Sequence, residues 1–189
     1  LLAQRLRTTT QELNALAGTA PSHVDPKATL PKQDRQPVVL EDLSDLIQTV
    51  PLLHDMATED HAAIAPILTQ IATKEGEVLI RAGTTEPAMH IISSGEVEVW
   101  QQATDQPKVT LGTLKAGASL AEVALFEDAP HDSHATALTD GVALVITRQA
   151  LDRLTKMHPG VAVKLNRTLL ELLSQRLRAT SARLVDPSA

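Results

Sequence analysis

The 189-residue chain has no cysteine, no tyrosine, one tryptophan and one phenylalanine. Without cysteine there is no disulfide and no thiolate metal site. With only Trp100 and Phe126 as aromatics, stacking on aromatic platforms cannot be how it holds bases. Positive charge is also in short supply: 17 Lys and Arg stand against 23 Asp and Glu, a net charge of −6. That argues against general nucleic-acid binding, which starts from a basic face. No apolar run approaches the ~18 residues that would span a bilayer. The opening LLAQRLRTTTQEL lacks the apolar core and cleavage site of a signal peptide. There is no Gly-x-Ser-x-Gly turn, no His-Glu-x-x-His and no P-loop. These absences lead to the expectation of a cytoplasmic, non-catalytic protein with no metal, no cofactor and neither nucleic acid nor membrane as partner.

What is present is a globular balance, 43% hydrophobic and 21% charged. Residues 1–17 read as a helix, with Leu2, Leu6, Leu13 and Leu16 on one stripe, ended by Gly18. Residues 18–39 carry prolines at 21, 26, 31 and 37 and read as an extended, semi-stiff linker. From Leu40 two short amphipathic helices are expected, LEDLSDLIQTV and ATEDHAAIAPILTQI, the second opening at Thr58 with acidic residues in its first turn. After Lys74 the chain becomes short strands, EVLIRA, AMHIISS, EVEVWQQ and KVTLGTL, punctuated by glycines. HATALTD and VALVITR are two more, with Asp140-Gly141 between them as a hairpin turn. Helical periodicity returns in RQALDRLTKM, and after Pro159-Gly160 a final helix is expected over about 161–184.

One repeat stands out. LLAQRLRTTTQEL at 1–13 aligns without gaps to LLSQRLRATSARL at 172–184, with Leu2, Leu6 and Leu13 falling on Leu173, Leu177 and Leu184. The bland alternative is two similar amphipathic helices built from common helix formers. A true repeat makes residues 1–17 the closing helix of a preceding copy of the domain, and residues 40–189 a second copy.

Several stretches, taken in order, carry a family resemblance: VPLLHDMATED, KEGEVLIRAGT, MHIISSGEVEVW and LGTLKAGASLAEVALFEDAPHDSHATA. Together they resemble the cyclic nucleotide-binding domain of catabolite-activator-type regulators and cyclic-nucleotide-dependent kinases, MHIISSGEVEVW being similar to its strand–Ser-Gly-Glu-Val–strand hairpin. The resemblance implies an α+β fold: an antiparallel, jelly-roll-like β-barrel with N-terminal helices, a short cassette helix and a long C-terminal helix. It also implies a phosphate-binding cassette of the form Phe-Gly-Glu-x-Ala-Leu, followed some seven residues later by Arg. In that cassette a short helix aims N–H groups at the cyclic phosphate. The glutamate takes the ribose 2′-hydroxyl and the arginine pairs with the phosphate.

Carried over, Leu120-Ala121-Glu122 stands where Phe-Gly-Glu would be, and Ala124-Leu125 matches. The ligand-facing set implied is Ala121, Glu122, Val123, Ala124, His131, Asp132 and Ser133. The arginine is missing. Pro130-His131 fills the kinase-type Pro-Arg position, and Asp132 fills the activator-type one. Histidine is mostly neutral near pH 7 and has no bidentate fork, while aspartate repels phosphate. No Lys or Arg occurs between Lys115 and Arg148. Losing the charged partner of a buried anion costs ~2–5 kcal/mol, so weak or no binding of cyclic AMP and cyclic GMP is expected. Ala121 in place of glycine adds a Cβ where the backbone resists one. Glu122 could hold a ribose hydroxyl or be a solvated carboxylate on the small helix.

Other features weigh less. His131 and His134 could ligate a metal in a cupin-like barrel, but they read as surface histidines. Arg176, Arg178 and Arg183 read as the wet face of the last helix. The stripe Val163, Leu170, Leu173, Leu177 and Leu184 could pair two chains into a homodimer through this helix. Alternatively Leu165, Leu169 and Leu172 fold back over the barrel. The expected role is a regulatory module whose cassette and final helix pass a signal to a neighbouring domain, second copy or partner protein. Its ligand would be a cyclic nucleotide, or a cyclic dinucleotide tolerant of the missing arginine. The competing expectation is a degenerate domain serving as a protein-interaction or oligomerisation scaffold with no nucleotide.

Overall fold

The computed structural model describes residue 47 and residues 50–54, 56–103 and 106–185, with side chains up to residue 181. The expected helix at 1–17, the linker at 18–39 and nearly all of LEDLSDLIQTV lie outside the described residues. In chain order the elements are α1 (Pro51–His54), α2 (Thr58–Ile64) and a 3₁₀ turn (Ala65–Ile67). Strands β1 (Thr69–Thr73), β2 (Val78–Ile80), β3 (Ala88–Ser94), β4 (Val97–Gln101), β5 (Val109–Leu114) and β6 (Ser119–Leu120) follow. A 3₁₀ cassette helix (Glu122–Leu125), β7 (His134–Ala137), β8 (Gly141–Thr147), α3 (Arg148–Met157) and α4 (Pro159–Val185) complete the elements among the described residues.

The strands form two antiparallel four-stranded sheets, ordered β1-β8-β3-β6 and β2-β7-β4-β5. The α+β, jelly-roll-like architecture is therefore present, as two sheets rather than a closed barrel. Ile71, Ile92, Leu120 and Ala143 of the first sheet meet Leu79, Ile80, Val97 and Ala135 of the second in one buried cluster. The period-2 alternation of β3 and β8 turns Met89, Ile91, Leu144 and Ile146 to the other face. There they join Leu53, Ile64, Leu151, Leu154, Leu165 and Leu169 from the helices in a larger core. Leu165 and Leu169 have no exposed surface, and each such side chain contributes about 1.5–3 kcal/mol. The reading of Leu165, Leu169 and Leu172 as folding back is thus the one observed, Leu172 being partly buried against this core.

Three local expectations need correction. The second helix stops at Ile64, because Pro66 has no N–H to extend it, and the β-branched run Thr69-Gln70-Ile71-Ala72-Thr73 becomes β1. Asp140-Gly141 is no hairpin: β7 and β8 lie in different sheets. Asp140 instead accepts bonds from Lys74 Nζ at 2.7 Å and Glu75 N at 2.9 Å. Gly141 is required by proximity, since a Cβ there would lie 2.2 Å from the Ser94 carbonyl oxygen. Ser94-Gly95-Glu96 likewise carries the chain from one sheet to the other rather than closing a hairpin.

The closing helix begins at Pro159, two residues before the expected start, with proline at a first-turn position where no N–H is needed. Thr147 caps α3 by accepting from Ala150 N at 3.1 Å. Asp60, buried at the start of α2, takes Lys164 of α4 at 2.7 Å and so pins the first half of the closing helix. That ammonium holds the Asp60 carboxyl below the usual carboxylate range.

Candidate functional site

Beside the sandwich, the cassette helix closes a cavity of about 510 Å³. Its apolar wall comes from Ile80, Val99 and Leu114 of the second sheet together with Leu120. All seven residues singled out in the sequence, Ala121, Glu122, Val123, Ala124, His131, Asp132 and Ser133, line it. The second part of the cassette is held in place by hydrogen bonds to other elements. His131 N donates to Thr84 O at 2.9 Å, and Gly83 N donates to His131 O at 2.8 Å. Buried Gln101 donates from Nε2 to Asp132 O at 2.8 Å. The 131–133 segment is therefore tied both to the loop after β2 and to β4.

Ala121 has φ 61° and ψ 28°, the only non-glycine with positive φ among the described residues. A left-handed alanine costs about 1–2 kcal/mol, and here it turns the chain so that Glu122 enters the cavity wall. Glu122 is 2% exposed, which removes the reading of a solvated carboxylate. Its Oε2 accepts from Arg176 Nη1 at 2.8 Å, and Arg176 Nη2 donates to the Ser119 carbonyl at 2.7 Å. Glu122 Oε1 is buried with no hydrogen-bond partner among the described residues.

Arg176 is the residue the sequence reading placed wrongly. It is not on the wet face of α4: it is half-buried and lines the cavity, the one Lys or Arg to do so among the described residues. A signal was available. Ala162, Leu165, Leu169 and Leu173 are buried at 3- and 4-residue spacings, and Arg176 continues that stripe. Arg178 is exposed, and Arg183 lies beyond the described side chains.

A second arginine was not anticipated at all. Arg148, the first residue of α3, donates from Nη2 to Ala124 O at 2.6 Å and from Nε to Leu125 O at 3.0 Å, and pairs with Asp128. It thus satisfies the carbonyls at the C-terminal end of the cassette helix. The histidine pair of PHDSH is split. His131 faces the cavity, while half-buried His134 stacks on Trp100 with ring centroids 4.2 Å apart. Burial, then the nearby Arg81 charge, lowers the His134 pKa. No group of three metal-ligating side chains occurs among the described residues. The oligomerisation stripe also divides: Leu170 is 50% and Val163 68% exposed, Leu173 is in the core, Leu177 is half-buried, and the Leu184 side chain lies outside the described residues.

A two-sheet sandwich, with a short helix presenting a buried glutamate and a long helix closing over it, can be compared with known proteins. Residues 70–158 match the family model described as the cyclic nucleotide-binding domain. This part of the chain resembles that family's domain. Among its relatives is the cAMP-dependent protein kinase regulatory subunit of Emericella nidulans, 29% identical over 108 residues, which are 57% of this chain and 26% of that protein. Acetyltransferase Pat of Mycolicibacterium smegmatis is 31% identical over 121 residues, 62% of this chain and 34% of that protein. The CRP-like cAMP-activated global transcriptional regulator of Mycobacterium tuberculosis is 27% identical over 125 residues, 66% of this chain and 54% of that protein. The match therefore spans about a quarter to a half of these relatives. A cyclic nucleotide-binding domain from Methylobacillus flagellatus superposes with a TM-score of 0.67 at 22% identity, covering 78% of this chain and 83% of that one. That likeness shows the fold. No helix among the described residues is long and apolar enough to cross a membrane.

Proposed function

We propose that the chain is a non-catalytic regulatory module of the cyclic nucleotide-binding family whose cassette, lacking its arginine, binds cyclic AMP and cyclic GMP weakly or not at all. Its output passes through the cassette and α4 to a neighbouring domain or partner. The observation that carries the reading is the cavity itself. It retains the buried cassette glutamate, but the segment from Ala121 to Ser133 contributes no Lys or Arg and adds Asp132. An anion placed against that segment meets two carboxylates without a cassette cation, consistent with an affinity ~30-fold or more below that of an arginine-bearing site. Coupling to the helices is supported by Arg148 and Arg176, which bind the cassette from α3 and α4.

A scaffold reading finds some support in Val163 and Leu170, exposed apolar residues seven apart on α4. The two readings separate in a calorimetric titration of cyclic AMP, cyclic GMP and cyclic di-GMP at pH 6 and pH 8, using the native chain and His131→Arg. The regulatory reading expects weak or absent binding by the native chain and a gain of about tenfold or more in the variant. Tight native binding at both pH values would overturn the weak-cassette reading. No gain in a folded variant would favour the scaffold.

A further inference from the structure

We infer that Arg176, delivered by the closing helix, is the ligand-binding cation of this cavity, and that it selects a monoanionic nucleoside phosphodiester. The inference rests on the preceding reading and changes where the ligand's charge is held. A guanidinium carries five N–H donors. Glu122 and the Ser119 carbonyl use two of them, and the Arg176 guanidinium donates no other hydrogen bond to the described residues. The remaining donors belong to the only Lys or Arg among the described lining residues. Beside it, Glu122 Oε1 is a buried acceptor with no partner among the described residues. A ligand that gives a hydroxyl to Glu122 Oε1 and an anionic oxygen to Arg176 satisfies both groups. Ile80, Val99 and Leu114 offer an apolar wall for a flat base.

Charge narrows the class. Glu122 and Asp132 already outnumber Arg176 in the cavity, so a second negative charge on the ligand is penalised. A phosphomonoester carries about −1.5 to −2 at pH 7, a cyclic phosphodiester only one charge. The amino-acid sequence adds an independent point. In the match of 1–13 to 172–184, Arg176 falls on Arg5, inside the shared Gln-Arg-Leu-Arg order. The arginine is part of the repeated pattern.

The test titrates the native chain, Arg176→Lys and Arg176→Gln with cyclic AMP, adenosine 5′-monophosphate and adenosine. The Arg176 Nε–H signal is followed in parallel by NMR in the native chain. Cyclic AMP is expected to bind the native chain more tightly than the other two. Arg176→Gln is expected to lose about tenfold or more for cyclic AMP, with Arg176→Lys in between and adenosine unchanged. The Arg176 signal is expected to shift with cyclic AMP and not with adenosine. If Arg176→Gln fails to fold, that signal decides alone. Cyclic AMP binding that ignores Arg176, a stationary Arg176 signal, or no native binding at millimolar ligand would each overturn the inference and leave the weak-cassette reading standing. Submicromolar native binding lost in Arg176→Gln would do the reverse, supporting Arg176 and ending the weak-cassette reading.

Discussion

Removing either member of the Glu122–Arg176 pair should destabilise the protein by different amounts, because the partners differ in exposure. The Glu122 side chain is 3% exposed and that of Arg176 37%. Arg176→Met leaves a buried carboxylate whose second oxygen has no partner among the described residues, and it also strips the Ser119 carbonyl of its donor. For a fully buried pair such a change costs about 3–5 kcal/mol. The cavity admits water to the vacated side, so about 2 kcal/mol is the better figure here. Glu122→Gln leaves a guanidinium that can turn toward solvent, and its amide oxygen can still accept from Arg176, so about 1 kcal/mol is expected. In the double variant the stranded carboxylate is gone, and the loss should fall short of the sum by about 1 kcal/mol. Urea unfolding followed by fluorescence of Trp100, the single tryptophan, measures all four corners of the cycle. Equal single losses with strict additivity, or an Arg176→Met loss below about 0.5 kcal/mol, would show that the pair does not hold α4 to the cassette in solution.

Three further outcomes follow from the same geometry. Ala121→Gly should stabilise by about 1 kcal/mol, because relief of the left-handed strain exceeds the added chain entropy; urea midpoints that fall instead would contradict the φ of 61°. Arg148→Lys keeps a charge but not the fork that reaches both Ala124 O and Leu125 O, so a loss of about 1–2 kcal/mol is expected, together with faster hydrogen exchange of the cassette amides. Asp60 has a folded pKa below its unfolded value, so its contribution is fully present above about pH 4 and is lost as pH falls through the folded value. Asp60→Asn should therefore cost about 1 kcal/mol at pH 7, Lys164 being 57% exposed, and flatten the acid limb of the stability profile.

What the sequence made legible was whatever rests on periodicity and local chemistry. The strand run after Lys74, the long closing helix and the grouping of Ala121–Ala124 with His131–Ser133 all follow from alternation, spacing and motif order. What it concealed depends on which sheet a strand joins. Asp140-Gly141 has the composition of a hairpin turn, but Asp140 binds the chain near Lys74 and Gly141 passes against Ser94, contacts some 65 and 47 residues away in sequence that no local pattern encodes. Arg176 was hidden for a related reason. A charged residue on a helix is solvated unless its partner lies across the fold, and Glu122 is 54 residues away. The helical stripe could have raised the question, but only the tertiary contact answers it.

The placement of the two arginines limits how a signal could leave the site. The first half of α4 is fixed by Leu165 and Leu169 in the core and by Lys164 on Asp60. Its later half meets the cassette through Arg176, beyond the last buried leucine at 173. Arg148 holds the far end of the cassette helix to α3. A ligand that draws on Arg176 must therefore pull at a point where α4 has little other attachment, while the rest of the cassette stays clamped. A change there breaks one ion pair and one carbonyl bond and leaves the packed core untouched. The same portion of the helix carries the sequence that residues 1–13 resemble.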